Sequence, residues 1–195
     1  MAKCCYDRRM IAAGETKRLI LRPLEIADAA QIQELFPHWE IVRYLRNVIP
    51  WPYPANGALQ FVRDMALPAM ERGEQWVWTL RLKTAPERVV GLINLQRGDH
   101  DNRGFWLGLA WHGKGLMSEA CVWVNDFWFE TLGFSVLRVA KARDNTISRR
   151  ISEKQGMRLV GVEERDYVCG RLPSEDWAIT ANEWRAWKAR TGLHH

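Results

Sequence analysis

The sequence predicts a mixed α/β domain in which helices flank a central, twisted, mostly antiparallel sheet of about six to seven strands. Two observations predict this class. The 195 residues, 47% of them hydrophobic, are enough for one domain with a sheet and several helices. The predicted elements follow the order β-α-α-β-β-β-α-β-α-β-β. Central hairpins followed by β-α-β crossovers produce a sheet with both antiparallel and parallel neighbours.

Each element is predicted from hydrophobic periodicity and from helix and turn signals. The predicted elements are strand 18–24, helix 25–36, an aromatic loop 37–57, helix 57–72, strands 75–83, 88–96 and 104–110, helix 116–132, strand 135–143, helix 145–156, strands 157–164 and 175–181, and a terminal helix. We expect Asn56 to cap helix 57–72 and Pro68 to kink or interrupt it. The apolar residues expected to face one way on that helix are Leu59, Val62, Met65 and Ala69. Residues 1–16 are expected to form a loose leader before a single domain over residues 17–190.

Composition and charge argue against several functional classes. The net charge of +5 comes from scattered basic residues, and without a Lys/Arg run or a known module we expect no nucleic-acid partner. The four cysteines show no C-x-x-C spacing, so we expect free thiols and no metal site. The start of the chain lacks an apolar signal core, and no segment has membrane-spanning length. These features predict a cytoplasmic protein without a membrane partner.

The stretch AWHGKGLMSEA (110–120) carries the strongest local signal, because two glycines bracket Lys114 just before a predicted helix. Glycine allows φ > 0 and a close approach to the backbone, and the first turn of a helix leaves N–H groups without partners. Such a loop is either an anion site, usually for phosphate, or a plain strand-to-helix turn. It is neither a Walker loop nor a dinucleotide fingerprint, since the required further glycines and spacing are missing.

Four stretches, in this order, carry a resemblance over residues 16–187. They are TKRLILRPLEIADA, the aromatic WPYP, the run GFWLGLAWHGKGLMSEA, and NTISRRISEKQGM with its N-x-x-S helix and E-K-x-G turn. Together they resemble the GCN5-related N-acetyltransferase (GNAT) superfamily, and within it the RimJ/RimL-type ribosomal-protein N-acetyltransferases. Two positions depart from the usual pattern. Ala110 stands where the superfamily often has Gln or Arg, and Met157 stands where Phe is common.

The resemblance implies that acetyl-CoA is the cosubstrate and that the sheet splays between its fourth and fifth strands. Free backbone groups from Leu107 to Leu109 are then expected to bind the pantetheine arm. The expected pyrophosphate site comprises the loop and the first helical turn, with His112, Gly113, Lys114, Gly115, Leu116, Met117 and Ser118. The Lys114 side chain either adds charge there or points to solvent. Ser118 bonds either a phosphate or the first turn of its own helix.

The expected chemistry is direct attack of an amine on the thioester, without a covalent enzyme intermediate. By resemblance to the RimL-like enzymes, Ser148 is the candidate partner of the leaving thiolate, and Asn145 caps its helix and bonds the pantetheine. The alternative for Ser148 is a first-turn residue that bonds the backbone. Glu164 is the candidate general base, with Asp166, Asp176 and a water chain as open alternatives.

The acceptor is expected to bind at the aromatic loop, through Trp39, Trp51 and Tyr53. An aromatic wall suits a cationic amine, although ordinary packing of a long loop explains the same residues. The predicted function is acetyl-CoA-dependent transfer of an acetyl group to a primary amine, either a protein N-terminus or a small molecule. The alternative is a non-catalytic module that binds acyl-CoA with the same fold. Monomer and homodimer are both open.

Overall fold

Two antiparallel sheets form the body of the protein in the computed structural model, which describes residues 11–192. The first sheet has the strand order β1-β2-β3-β4-β5, with bounds Gly14–Glu15, Leu19–Pro23, Gln75–Leu82, Ala85–Gln96 and Arg103–Leu107. The second sheet has the order β6-β8-β7, with β6 at Val136–Ala142, β7 at Arg158–Tyr167 and β8 at Gly170–Thr180. The predicted α/β class with a mostly antiparallel sheet is confirmed.

Two loop residues before β5 connect the sheets. The Asn102 N–H donates to the Arg138 carbonyl at 2.6 Å, and Asn102 Oδ1 accepts the Arg138 N–H at 2.9 Å. Asp101 Oδ1 accepts the Ala140 N–H at 3.0 Å, and Asp101 has a left-handed φ of 53°. Within the described part of the chain, β5 and β6 share no ladder beyond these bonds. The splay predicted between the fourth and fifth strands therefore lies between β5 and β6.

Helices cover opposite faces of the sheets. One face carries α1 (Ala29–Leu35), α2 (Trp39–Val42), α3 (Gly57–Gln60) and α4 (Leu67–Glu71); the other carries α5 (Leu116–Asp126), α6 (Thr146–Lys154) and α7 (Ala181–Thr191). A 3₁₀ turn at Ile26–Asp28 leads into α1. A π-helical segment, Phe61–Ala66, joins α3 to α4, and a second one, Phe127–Thr131, follows α5.

Strand β3 is buried on both faces, as its near-continuous apolar sequence requires. Trp76, Trp78 and Leu80 pack with the cluster that includes α5 and α7. Val77 points the other way, into the cluster that includes α3 and the π-helical segment after it. Alternating side chains of one strand therefore anchor both helical layers.

Residues 11–16 belong to the folded body, which corrects that part of the expected loose leader. Strand β1 pairs with β2, and the Ala12 carbonyl accepts the Trp78 Nε1–H at 3.0 Å. Gly14 packs against Trp123 so closely that a Cβ would lie 2.2 Å from the indole ring, so only glycine fits here. Residues 1–10 of the expected leader lie outside the described residues.

The helix predicted over residues 57–72 differs in two ways. The Asn56 side chain makes no capping bond, so that prediction is wrong. The expected apolar face is also wrong in part, because Leu59 and Met65 are exposed whereas Ala58, Val62, Ala66 and Ala69 are buried. The cause is the π-helical segment, in which the Leu67 N–H donates to the Val62 carbonyl five residues back. Pro68 lies in the first turn of α4, and the helical residues continue through it, so the predicted interruption at Pro68 is not seen.

A buried ion pair provides a test of the first sheet. Asp28 Oδ1 and Arg81 Nη2 lie 2.5 Å apart, and both side chains are buried. Because Asp28→Asn leaves the Arg81 charge buried without its partner, we expect the free energy of unfolding to fall by about 3 kcal/mol. Urea denaturation measures this loss. The control is Asp64→Asn, which removes an exposed pair with Arg63 and is expected to cost much less. Equal losses would contradict the assignment.

Candidate functional site

A tight turn with unpaired N–H groups precedes α5. Gly113 and Gly115 have φ values of 73° and 74°, which glycine adopts without strain. A Cβ on Gly113 would meet no atom within 4 Å, so the turn is open on that side. In the described chain, no acceptor takes the N–H groups of Gly113, Lys114 and Gly115, whereas the His112 N–H donates to the Leu109 carbonyl at 3.2 Å. The turn therefore presents donors at the positive end of the α5 dipole.

Arg18, which the sequence analysis does not single out, holds this turn in place. Its Nη1 donates to the Lys114 carbonyl at 2.9 Å. Its Nε and its backbone N–H each donate to the Glu119 carboxylate at 2.7 Å. The Arg18 Nη2 atom would lie 3.6 Å from a Cβ on Gly115. A half-exposed guanidinium, ion-paired with Glu119, thus stands beside the unpaired N–H groups.

The remaining residues predicted in the first turn of α5 have different environments. The side chains of Leu116 and Met117 are buried in the core, so their backbone alone is available to a ligand. Ser118 is partly buried and lines a cleft, while Lys114 is exposed. That these residues share one site stays a prediction, in which Leu116 and Met117 can take part only through their backbone.

The strand leading into the turn is shorter than predicted. It ends at Leu107, and Leu109–Trp111 form a 3₁₀ turn, so the expected strand over 104–110 is wrong at its end. The Gly108 N–H donates to the Val90 carbonyl at 2.9 Å. The Leu107 carbonyl accepts a bond from the His112 ring at 2.8 Å. His112 therefore occupies, through its side chain, a backbone acceptor that was expected to bind pantetheine.

A cleft of about 680 Å³ lies between α5 and α6. Ser118, Glu119 and Val122 line it from α5, and Ile151 and Lys154 line it from α6. The cleft has a mixed charge, because it is also lined by one carboxylate, Glu15, and two lysines, Lys17 and Lys83. The cleft begins beside the turn, because Ser118 and Glu119 lie in the first turn of α5.

Ser148 and Asn145 lie together at the start of α6. Asn145 caps the helix as predicted, since its Oδ1 accepts the Ser148 N–H at 3.1 Å. The Ser148 hydroxyl is buried and accepts a bond from Lys141 Nζ at 3.0 Å. The alternative in which Ser148 bonds only the backbone does not describe this side chain.

Lys141 is a buried cation without a contacting carboxylate. No carboxylate of the described residues lies within ion-pair distance of its Nζ, which stands 5.3 Å above the Phe105 ring. Burial and, after it, the positive charge of Arg103 lower the pKa of the Lys141 ammonium from 10.5 to about 7. The Lys141 proton is therefore held weakly near neutral pH.

Arg103 ties β5 to both neighbouring helices. Its Nη1 donates to Asn125 Oδ1 at 2.6 Å and to Gln155 Oε1 at 3.0 Å, which joins β5 to α5 and to the end of α6. Its Nε and Nη2 atoms are buried and have no partner among the described residues. Arg103 and Lys141 are thus two buried cations that are close enough for their charges to interact.

The candidate bases lie on the β7–β8 hairpin. Asp176 forms two bonds with Arg165, at 2.7 and 3.0 Å, and Asp166 lies 3.9 Å from Arg171. Glu164 is exposed and forms no ion pair within the described residues. The strand register places Glu164 on the face of the second sheet that carries Lys141, two strands away. Of the three, Glu164 is the carboxylate that no partner holds.

The aromatic residues of the acceptor loop form two separate groups. Trp39 and Trp51 are exposed and pack on each other with ring centroids 5.6 Å apart. Tyr53 instead packs on Phe36 at 5.0 Å, and burial raises its pKa to about 12. The structure brings together two of the three predicted acceptor residues, and Tyr53 contacts the core.

The segment between Trp39 and Trp51 forms backbone bonds to the second sheet. The Val168 and Cys169 N–H groups donate to the Leu45 and Arg43 carbonyls at 3.0 and 3.1 Å. The Asn47 N–H donates to the Asp166 carbonyl at 3.3 Å. Backbone bonds to the β7–β8 hairpin therefore fix the position of the aromatic loop.

The sequence contains a signal for Lys141 that periodicity reasoning passed over. In VLRVAKAR, Leu137 and Val139 face the core, and Lys141 stands at the next position on the same face. A charged residue where alternation requires an apolar one marks a buried polar site. Arg103 stands in the same relation to Phe105 and Leu107 on β5. Arg18 has no comparable signal, because it is half-exposed.

No group of three or more His, Cys, Asp or Glu side chains within residues 11–192 is arranged to hold a metal ion. None of the helices in that range combines the length and apolar character needed to cross a bilayer.

Several known proteins are similar to this chain in sequence. Residues 18–158 match the acetyltransferase (GNAT) domain family. The chain is also 27% identical, over 165 residues, to the uncharacterized N-acetyltransferase p20 of Bacillus licheniformis. That alignment spans 80% of this chain and 89% of p20.

Solved structures share the fold at lower identity. RimJ of Mycobacterium smegmatis, in complex with CoA-disulfide, has a TM-score of 0.76 at 16% identity, covering 92% of this chain and 94% of RimJ. The ribosomal-protein-S5-alanine acetyltransferase of Vibrio fischeri has a TM-score of 0.74 at 15% identity, covering 89% and 98%. The family match spans more than two thirds of the chain, and the resemblance drawn from the motifs is confirmed. The chain belongs to the acetyltransferase (GNAT) domain family.

Proposed function

We propose that this acetyltransferase binds acetyl-CoA at the turn before α5 and transfers the acetyl group to a primary amine bound at the same time. The observation that carries the proposal is the row of unpaired N–H groups at Gly113, Lys114 and Gly115, beside the Arg18 guanidinium. Donors at a helix N-terminus with a cation nearby suit a diphosphate. The open space beside Gly113 lets a phosphate approach the backbone closely.

The Ser148 hydroxyl is the proposed partner of the leaving sulfur. The amine attacks the thioester carbonyl, the C–S bond breaks, and the sulfur departs with the electron pair. A hydrogen bond from Ser148 stabilises that negative charge. Asn145 positions Ser148 by accepting its N–H, and its own amide N–H₂ group is left for the pantetheine.

Glu164 is the proposed base that takes the proton from the attacking amine, directly or through water. Its support is that, unlike Asp176, it is not held in an ion pair by a described residue. We propose that Trp39 and Trp51, which are exposed and adjacent, contact the acceptor by cation–π attraction. A protein N-terminus and a small-molecule amine both satisfy this chemistry.

A glycine pair tests the diphosphate site. Gly113→Ala and Gly133→Ala both place a side chain at φ = 73° with no atom within 4 Å of the new Cβ. Because the backbone strain is matched, we expect both variants to lose about 1 kcal/mol of stability. Only Gly113→Ala obstructs the proposed phosphate position, so it alone is expected to weaken acetyl-CoA binding, by about tenfold.

Calorimetric titration with acetyl-CoA and CoA, with ATP as the comparison ligand, measures that difference. If wild type binds neither CoA form, the turn is a plain connection and the proposed function fails. Equal affinity in Gly113→Ala and Gly133→Ala contradicts the location of the site.

A serine pair tests the chemistry. Ser148→Ala removes the proposed bond to the leaving sulfur, so we expect kcat to fall by about 10²-fold with little change in acetyl-CoA affinity. Ser152→Ala is the control, because Ser152 is buried one turn later on α6 and its hydroxyl has no partner among the described residues. Thiol release from acetyl-CoA with a panel of peptide N-termini and small amines provides the rate. Binding of acetyl-CoA without turnover on any amine favours the non-catalytic module.

A further inference from the structure

Burying the Lys141 ammonium costs free energy because the charge loses its hydration, so the stability of the fold does not explain why a lysine stands here. Its side chain is 5% exposed, and the neighbouring Ser148 is 8% exposed. An ammonium in this position loses its hydration without gaining a contacting carboxylate, so an apolar residue of similar length would pack there at lower cost. The contact it does make is the 3.0 Å bond to the Ser148 hydroxyl oxygen.

The charged groups around Lys141 come from four directions. Arg103 on β5 is a second cation, and Asp101 in the loop before β5 is the carboxylate whose charge acts on Lys141. The Cys121 thiol faces it from α5. Glu175 stands opposite on β8, but its carboxylate is paired with Arg149 at 2.7 Å. Lys141 therefore directs its hydrogen bond to Ser148 rather than to an acid.

We propose that Lys141 is a positioning residue that holds and polarises Ser148, so that the Ser148 hydroxyl becomes a stronger donor to the sulfur leaving acetyl-CoA. The proposal rests on the proposed function of Ser148. Its geometric basis is the direction of the bond. Because Lys141 donates to the serine oxygen, the serine hydrogen is free to point to another acceptor.

A charged donor behind a hydroxyl strengthens the bond that the hydroxyl makes in front. When the C–S bond breaks, the negative sulfur accepts the Ser148 O–H bond while Lys141 Nζ–H compensates the charge that shifts onto the serine oxygen. If the sulfur takes the serine proton, the serine oxygen takes one from Lys141, which is left as a neutral amine and recovers a proton from water. Atoms and charge balance without another reactant.

This arrangement has a pH dependence of known sign. The ammonium form of Lys141 supports Ser148, and the pKa of Lys141 is lowered to about 7 by burial and by Arg103. The support is therefore complete below that pKa and is lost as the pH rises through it. A negative sulfur beside Ser148 favours the ammonium form and moves the transition upward.

The experiment measures the ionisation of the thiol of bound CoA, which requires no acceptor amine. The ultraviolet absorbance of the thiolate is followed against pH in the complex with CoA, and the same titration with desulfo-CoA is subtracted to remove the cysteines of the protein. The variants are Lys141→Met, Ser148→Ala, the double variant, and Ser152→Ala as the matched control.

We expect the thiol pKa of bound CoA to rise by about one unit in Lys141→Met, a tenfold change in the ionisation constant. A similar rise is expected in Ser148→Ala. The double variant should show no further rise, because Lys141 acts through Ser148. Ser152→Ala should titrate as wild type does.

The outcomes separate the two proposals. Failure of wild type to bind CoA overturns the proposed function. Binding with an unchanged thiol pKa in Lys141→Met overturns the role of Lys141 and leaves the proposed function standing. A further rise when Lys141→Met is added to Ser148→Ala shows that Lys141 acts on the sulfur directly, which also overturns it.

One measurement on wild type covers the case in which Lys141→Met does not fold. Carbon NMR of labelled lysine side chains follows the titration of Lys141 in the CoA and desulfo-CoA complexes. We expect a higher Lys141 pKa with CoA, because the thiolate stabilises the ammonium through Ser148. Identical titrations in the two complexes overturn the proposal.

Discussion

The bonds between Asp101, Asn102 and β6 are the constraint on which the site depends. They join the two sheets at the start of β5 and at no further point along it in the described chain, so the strands diverge beyond them. The turn before α5 follows the end of β5, and Ser148 follows the end of β6. The bonds lie at the start of β5 and at Arg138 and Ala140 within β6, so they hold together the strand that leads to the turn and the strand that leads to Ser148. The carboxylate and amide that make these bonds lie in an unremarkable polar loop of the sequence.

A second constraint is a polar region of the interior between β5, α5 and the end of α6. Arg103, Asn125 and Gln155 bond one another across β5, α5 and the end of α6. Buried polar groups of this kind are costly unless their partners are well placed, and several donor atoms of this group have none among the described residues. The cost is concentrated where the two sheets part, next to Lys141 and Ser148. Stability elsewhere comes from the apolar layers on both sides of β3, of which the layer with α5 and α7 is rich in tryptophan.

Much of the fold could be predicted from local pattern, because most strands and helices have strict periodicity and clear ends. The cap at Asn145 and the positive φ values of Gly113 and Gly115 could be predicted because neighbouring backbone sets them, which sequence spacing reveals. Three features could not be found that way. The π-helical register before Pro68 moved the buried face from Leu59 and Met65 to Ala58 and Ala66. Residues 11–16 contact the distant Trp78 and Trp123, which bond Ala12 and pack on Gly14. Arg18 acquires its surroundings from Lys114 and Glu119, which are far away in the chain, and pairings of that kind have no local signal.

The crossing of residues 43–47 onto the β7–β8 hairpin has an implication for how acceptor preference changes in this fold. The hydrogen bonds to the hairpin are made by main-chain groups of Arg43, Leu45 and Asn47. Any non-proline residue at those positions supplies the same groups. Side chains at Trp39 and Trp51 can accordingly be exchanged without detaching the segment that carries them. A change in the length of the hairpin, by contrast, moves the anchor itself. Acceptor range in such proteins is thus open to diversification by point substitution, while insertions in either segment require a compensating change in the other.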